Sequence, residues 1–375
     1  MKVLQLGKYY YPYMGGMENH LYLLCEQLRE RVDLEAVVCN DRPGTVREVV
    51  DGVRVVRCHQ ALNVASTSIC PTMPGVLSRI DYDLIHFHFP HPMGVIAYLA
   101  SRKPRRHAVV ITWHSDVVRQ KALMRAYAPF MERVIARAAA IICTSPNYIE
   151  SSPVLRRHRA KCRVIPYGID LTQFALTPAI EAKAAEIRSR YAAPIALAVG
   201  RLIYYKGFEY AVEAMREAEG SLLIIGEGPL SGSLQERARA TGVEKRVHFL
   251  GDIHNKEIAP YYYASDLFVL PSIARSEAFG IVQLEAMACG RPVINTALDS
   301  GVPFASRHGE SGLTVEPRNA HALAEAMKAI VSEPERARRL GEAGRLRVER
   351  EFSREVMGKA VRSLYEEIAS RPGAL

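Results

Sequence analysis

Two doubly wound α/β domains are predicted by three features of this 375-residue chain. Short β-branched runs alternate with longer helix-period segments from end to end, as parallel strands with crossover helices require. The length exceeds what one compact core supports and suits two domains of ~150–200 residues. A stretch at 166–180 carries Pro and Gly without a clear period and separates two series of strands.

The first series predicts strands at 3–6, 34–39, 53–57, 84–87, 108–112, 140–143 and 163–165, with helices notably at 18–29 and 122–137. The second predicts strands at 195–199, 221–225, 247–250, 267–270 and 292–295. Helices at 207–218, 233–240, 257–264 and 281–288 fall between them, and three amphipathic helices follow at 320–331, 335–351 and 354–369. The domains expected are 1–170 and 171–352, with 353–375 crossing back to the first. Ligands of such sheets bind at the carboxyl ends of the strands, so two domains facing one another are expected to form a cleft.

Composition narrows the class. Apolar residues at 49% and charged residues at 24% exclude disordered and fibrous chains. The net charge of +9 lies wholly in the first 170 residues, which hold 23 basic and 14 acidic side chains against 26 of each in the remainder. Seven cysteines with no C-x-x-C pair fit a reducing compartment and argue against a disulfide scaffold or structural zinc. Only five apolar-run residues precede Lys8, too few for a signal peptide, and the uncharged stretch 84–101 carries three histidines and two prolines. A cytoplasmic protein is expected, peripheral at most on the inner face of a membrane.

Four motifs carry chemistry. The first strand leads through Gly7 to Gly15-Gly16 and a helix, where closely approaching backbone amides can meet an anion, although a plain tight turn reads the same way. The P-loop pattern is absent. Gly226-Glu-Gly228-Pro-Leu-Ser-Gly232 mimics a dinucleotide fingerprint, but its spacing is wrong and Pro229 removes an amide. Arg201 and Lys206 place two cations after a strand and at a helix start, where the macrodipole disfavours them unless an anion binds; solvated surface charges are the alternative. Glu277 and Glu285 flank Gly280 on an otherwise apolar stretch. A carboxylate buried there costs several kcal/mol unless a buried Arg or a ligand hydroxyl pair partners it. Two acids, two cations and a Gly-rich turn fit a sugar joined to a diphosphate.

Together these stretches resemble the retaining glycosyltransferases of family 4, which have the GT-B fold. The matching segments are Tyr11-Pro…Gly15-Gly16-Met-Glu18, Asp83-Leu-Ile-His-Phe-His88, Thr112-Trp-His114-Ser-Asp, Pro166-Tyr-Gly-Ile-Asp170…Phe174, Val199-Gly-Arg201…Lys206-Gly, Gly226-Glu-Gly-Pro229 and the E-x7-E motif from Glu277 to Glu285. The resemblance implies two Rossmann-like domains, the first for the acceptor and the second for the nucleotide sugar, with C-terminal helices packing back toward the first. By that resemblance Arg201 and Lys206 grip the donor diphosphate, and Phe279, Gly280 and Ile281 supply backbone amides. Glu285 binds the ribose hydroxyls, Glu277 holds sugar hydroxyls near the reacting carbon, His114 faces the donor sugar, and Gly15 and Gly16 close over the phosphates. Glu277 and His114 are thus the expected catalytic pair.

The family's chemistry needs no metal and no cofactor beyond the nucleotide-sugar substrate, so His86, His88 and His91 are not read as a metal cluster. The acceptor implied is a glycan or a lipid-linked sugar. GDP-mannose is favoured over UDP-hexoses by resemblance in the 295–303 region. The basic clusters at 102–106 and 156–159 suggest contact with an anionic membrane, with a solvated surface as the alternative. No helix-turn-helix or aromatic-interleaved pattern supports a nucleic-acid partner. The alternatives left open are a nicotinamide-dependent oxidoreductase resting on the Gly226 turn, and a GT-B glycan phosphorylase or nucleotide-sugar epimerase.

Overall fold

The computed structural model describes residues 1–13, 15–64, 67–102, 107–116 and 121–371. The chain divides into two compact units, Met1–Gly168 with Arg354–Leu375, and Ile169–Ser353.

The first unit is built on an eight-stranded sheet. From edge to edge its order is Cys162–Val164, Ala140–Cys143, Ala108–Trp113, Leu84–Phe89, Lys2–Leu6, Asp33–Cys39, Val53–Cys58 and Val46–Val50. Every pairing is parallel except that of the last strand, which runs back against Val53–Cys58. Lys2–Leu6 lies at the centre, and the chain order reverses between it and Leu84–Phe89. That switch point collects the loops that follow these two strands.

Strands covered on both faces need no alternation, and Leu84–Phe89 and Ala108–Trp113 are buried at every residue. One face nevertheless carries a polar row across three strands, since Gln5 pairs with His86 and His88 pairs with Thr112. The helix Gly16–Leu28 covers this sheet with Leu21, Leu24, Cys25 and Leu28, and the final helix Arg354–Ala369 packs beside it. Tyr365 of that final helix accepts from the Gln5 amide at 3.0 Å and bonds His86 Nδ1 at 2.6 Å.

The second unit carries six parallel strands in the order Val247–Phe249, Ser221–Ile225, Ile195–Val199, Leu267–Val269, Val293–Thr296 and Gly312–Val315. Numbered along the chain, this is the 3-2-1-4-5-6 arrangement of dinucleotide-binding sheets. Its switch point lies between Ile195–Val199 and Leu267–Val269.

The sequence reading differs from the structure mainly at edges. Val46–Val50 is exposed along almost its whole length and exists by pairing rather than burial, so no apolar period announces it. The hairpin Leu62–Val64 with Thr67–Ile69 escapes for the same reason, and the edge strand Gly312–Val315 escapes because it is only four residues long and opens on a glycine. Only the last C-terminal helix belongs with the first unit. Ala320–Ser332 and Pro334–Glu351 pack within the second, against Phe208–Ala214 and Ile281–Ala288 respectively.

Candidate active site

The loops at the switch point of the second unit gather most of the expected residues. After Ile195–Val199 the chain turns at Gly200, makes one 3-10 turn at Tyr204–Lys206, and enters Phe208–Ala214 through Gly207. After Leu267–Val269 it forms an irregular loop to Gly280, the N-cap of Ile281–Ala288. Gly280 has φ +72°, and a Cβ there would lie 2.5 Å from Leu270 Cδ2, so only glycine fits. The seven residues between Glu277 and Glu285 therefore do not form one helix. The first carboxylate sits on the loop and the second more than a turn into the helix.

Lys206 Nζ bonds Glu277 Oε2 at 2.7 Å, and the two side chains are only 12% and 10% exposed. The Ser272 hydroxyl donates to the same oxygen at 3.0 Å. Burial pulls the Lys206 pKa down, but the Glu277 carboxylate more than offsets it and holds the group above its ordinary value. Lys206 is therefore a cation throughout the working range. Arg201 is exposed, and its side chain makes no hydrogen bond or ion pair with the described residues, its carbonyl alone accepting from Ile203 N at 2.9 Å. Glu285 is half-buried, and its Oε2 accepts from Tyr262 Oη at 2.6 Å. Burial drives its pKa up, opposed by the Tyr262 hydrogen bond and the Lys206 charge.

The sequence offered a buried Arg or a ligand diol as the partner of Glu285; the partner inside the fold is a tyrosine. Tyr262 and Ser272 were not expected, because nothing in Tyr261-Tyr262-Tyr263 says which ring turns inward. Phe279 is buried against Phe304 and Phe352, leaving its role to its backbone, and Ile281 opens the helix.

The Gly226 turn has a different purpose from a dinucleotide fingerprint. Its φ is +131°, and a Cβ would lie 2.2 Å from the Gly200 carbonyl. The glycine lets this turn press against the Arg201 loop, with Leu202 N donating to Glu227 O at 2.9 Å. Asn295 is likewise spent inside the fold. Its Nδ2 donates to Gln283, Val302 and Ser306 and its Oδ1 accepts from Thr314, so its side chain is committed to holding the surrounding loops.

The remaining expected residues lie in the first unit. Gly15 is the extended N-cap of Gly16–Leu28, and a Cβ on Gly16 would meet nothing within 4 Å. Neither glycine is demanded by the backbone itself. His114, 2% exposed, follows Ala108–Trp113; its Nε2 lies 3.0 Å from His88 Nδ1 and its Nδ1 2.6 Å from Tyr167 Oη. Both ring nitrogens are thus engaged within the unit.

The set His86, His88 and His91 disperses. His86 bonds Thr112 and Tyr365, and His91 points to Cys39. Of the basic clusters, Lys103, Arg105 and Arg106 lie outside the described residues. Arg157 and His158 share Glu132, and Arg159 pairs with Glu150, so much of the charge at 156–159 is compensated.

Five buried histidines (20, 86, 88, 91 and 114) have pKa values pushed down by burial, to about 3 for His20, His86 and His91. The folded state binds fewer protons than the unfolded one below pH ~6.5, so their contribution to stability is full above that pH and is lost as pH falls. Each histidine adds about 1.4 kcal/mol per pH unit to this loss. The thermal midpoint is expected to drop steeply between pH 6.5 and 5, and a flat midpoint across that range would contradict neutral burial.

A buried ammonium–carboxylate pair at the switch point of a 3-2-1-4-5-6 sheet, in a chain that also carries a second doubly wound unit, fits a GT-B-type nucleotide-sugar enzyme. The comparisons agree. "Glycosyltransferase Family 4" matches residues 14–173, and "Glycosyl transferases group 1" matches 180–347. The D-rhamnosyltransferase WbpZ of Pseudomonas aeruginosa is 32% identical over 359 residues, covering 94% of this chain and 92% of that protein. The O-antigen chain mannosyltransferase C of Escherichia coli is 32% identical over 372 residues, covering 97% and 98%. Among solved structures, the sucrose-phosphate synthase of Thermosynechococcus elongatus superposes with a TM-score of 0.80 at 26% identity, covering 99% of this chain and 100% of that one. This chain belongs to glycosyltransferase family 4 and is a hexosyltransferase that uses a nucleotide sugar. The nicotinamide, phosphorylase and epimerase alternatives fall away. Among the described residues no helix is long and apolar enough to cross a membrane.

Proposed function

We propose that this enzyme moves a mannosyl group from GDP-mannose to a hydroxyl of a glycan or lipid-linked glycan, with retention at the anomeric carbon and no metal on the diphosphate. The observation that carries this is the Lys206–Glu277 pair, an ammonium and a carboxylate held at 2.7 Å beside the unpaired Arg201. One end of such a pair suits phosphate oxygens and the other suits sugar hydroxyls. Cleavage of the sugar–phosphate bond leaves charge on the departing diphosphate oxygen. Arg201, Lys206 and the orphan amides at the start of Ile281–Ala288 would stabilise it without a divalent ion. The acceptor hydroxyl would attack from the face the diphosphate leaves, passing its proton to the leaving oxygen. Glu285 takes the ribose hydroxyls, Glu277 the sugar hydroxyls, and Gly15, Gly16 and His114 act in the same reaction from the first unit.

Mannose is supported by the name of the Escherichia coli relative. The Pseudomonas relative's D-rhamnose is mannose without its 6-hydroxyl, so the donor question reduces to how that one hydroxyl is treated. Membrane contact through 156–159 is not carried into this proposal, because that cluster's charges are largely paired. Donor incubated without acceptor tests the reading by slow hydrolysis followed by NMR. GDP-mannose should be consumed faster than UDP-hexoses, and the first anomer released should be α. Release of β-mannose would overturn retention, and a preference for a UDP sugar would overturn the donor.

A further inference from the structure

At the carboxyl ends of Lys2–Leu6 and Asp33–Cys39 the first unit carries a groove of about 360 Å3, its lining including Tyr9, Tyr13, Asp41 and Arg42. This is the end at which such sheets take their ligands. Tyr13 is 45% exposed, yet its ring is firmly seated. It stacks on Tyr9 with centroids 4.2 Å apart and planes 27° from parallel. Tyr9 is buried, and its Oη is fixed by Ser68 Oγ at 2.7 Å and Gln60 Oε1 at 3.1 Å. Arg57, from Val53–Cys58, clamps the same loop by donating to the Tyr10 and Tyr11 carbonyls and to Glu48. Tyr13 N closes the turn on Tyr10 O at 3.1 Å. Half an aromatic ring in water forgoes hydrophobic stabilisation, and here a buried scaffold holds it in that position.

The polar groups at the rim divide into spent and free. Asn40 is spent on its own loop, its Nδ2 donating to Gly44 O at 2.8 Å and its Oδ1 accepting from Arg42 N at 3.3 Å. The next carboxylate, Asp41, is 56% exposed and has only a 4.0 Å contact with Arg42 Nε. Glu48 cancels Arg57 and Asp41 stands against Arg42, so these four groups carry no net charge. A phosphate would find no unopposed cation there. A flat ring beside an available carboxylate suits a neutral pyranose instead. The C–H bonds of one sugar face lie on the electron-rich ring, and neighbouring hydroxyls donate to the carboxylate.

We propose that Tyr13 and Asp41 form a subsite for a neutral hexopyranose unit of the acceptor glycan, with Tyr13 as stacking platform and Asp41 as hydroxyl acceptor. Tyr9 and Arg57 are positioning residues that keep the platform still. The subsite rests on the glycan-acceptor reading above, and it adds where one sugar of that acceptor is held and which groups select it.

Saturation-transfer NMR with α-linked mannotriose, standing in for the acceptor glycan, tests this without donor or turnover. The parent should saturate the saccharide's ring protons. Tyr13→Leu keeps an apolar cover over Tyr9 but offers no flat face, and should weaken binding about tenfold; Tyr13→Phe should restore it. Asp41→Asn should also weaken binding about tenfold, through loss of charge-assisted hydrogen bonds. With mannotriose as acceptor, Tyr13→Leu should raise the acceptor KM more than it lowers kcat, the signature of lost ground-state binding. Equal mannotriose affinity in the parent and Tyr13→Leu would make the ring a mere cover for Tyr9 and overturn the subsite. No saturation in the parent would overturn it as well. Failure of the donor reading shows separately, in the acceptor-free hydrolysis of GDP-mannose, which needs no saccharide in this groove.

Discussion

Lys206→Ala is expected to lower kcat/KM for the donor by about 10²–10³, the loss that follows removal of one group aimed at developing anionic charge. The same substitution should also destabilise the donor-free enzyme. Lys206 neutralises a Glu277 carboxylate that is only 10% exposed, and breaking a buried pair from one side costs roughly 3–5 kcal/mol. The Ser272 hydroxyl still donates to that carboxylate, so the lower end of the range is expected. A lost activity could then be blamed on a weakened fold, and a double variant separates the two. Lys206→Met with Glu277→Gln replaces the ion pair by a neutral pair of similar volume, which often leaves stability unchanged. The thermal midpoint should return toward that of the parent while transfer stays lost, because no cation then meets the departing diphosphate. Transfer that recovers along with the midpoint would remove Lys206 from the chemistry and leave it a structural residue.

What the sequence made legible follows from where each signal resides. The second sheet was readable because runs such as Ile195–Val199 and Ser221–Ile225 are buried on both faces, so hydrophobicity alone marks them. Edge strands were not, because Val46–Val50 is held by backbone pairing with outward side chains. In the site, charged residues on turns stood out against apolar surroundings, and Arg201, Lys206, Glu277 and Glu285 were all named. Their partners were hidden. Tyr262 is one of three consecutive tyrosines, and only the pitch of a six-residue helix decides which one reaches Glu285. The histidines show the same limit. Spacing of two on one strand suggested 86 with 88, to which the fold adds 114 from the neighbouring strand's end and 20 from the helix above. Such a grouping is set by register and packing, which no single segment records.

Glu285→Gln should act in the opposite sense to Lys206→Ala, weakening the donor's grip while sparing the fold. Burial has raised the Glu285 pKa despite the Tyr262 bond and the Lys206 charge, so the folded protein holds this proton more tightly than the unfolded chain does. The sign of the linkage follows: this group's contribution to stability declines as pH rises above the ordinary carboxylate range. A neutral amide removes that penalty and can still accept from Tyr262, so the donor-free variant should be at least as stable as the parent at neutral pH. Donor binding needs the charged form. A carboxylate accepting ribose hydroxyls makes charge-assisted bonds worth about 1.5–3 kcal/mol, and their loss corresponds to a roughly 10–150-fold rise in KM. Because the ribose is remote from the reacting carbon, kcat should change little. The parent's KM for GDP-mannose should climb as pH is lowered through the raised Glu285 pKa, and the variant's KM should be high and insensitive to that titration. An unchanged KM, or a variant that loses stability instead, would show that Glu285 supports Tyr262 and does not bind the donor.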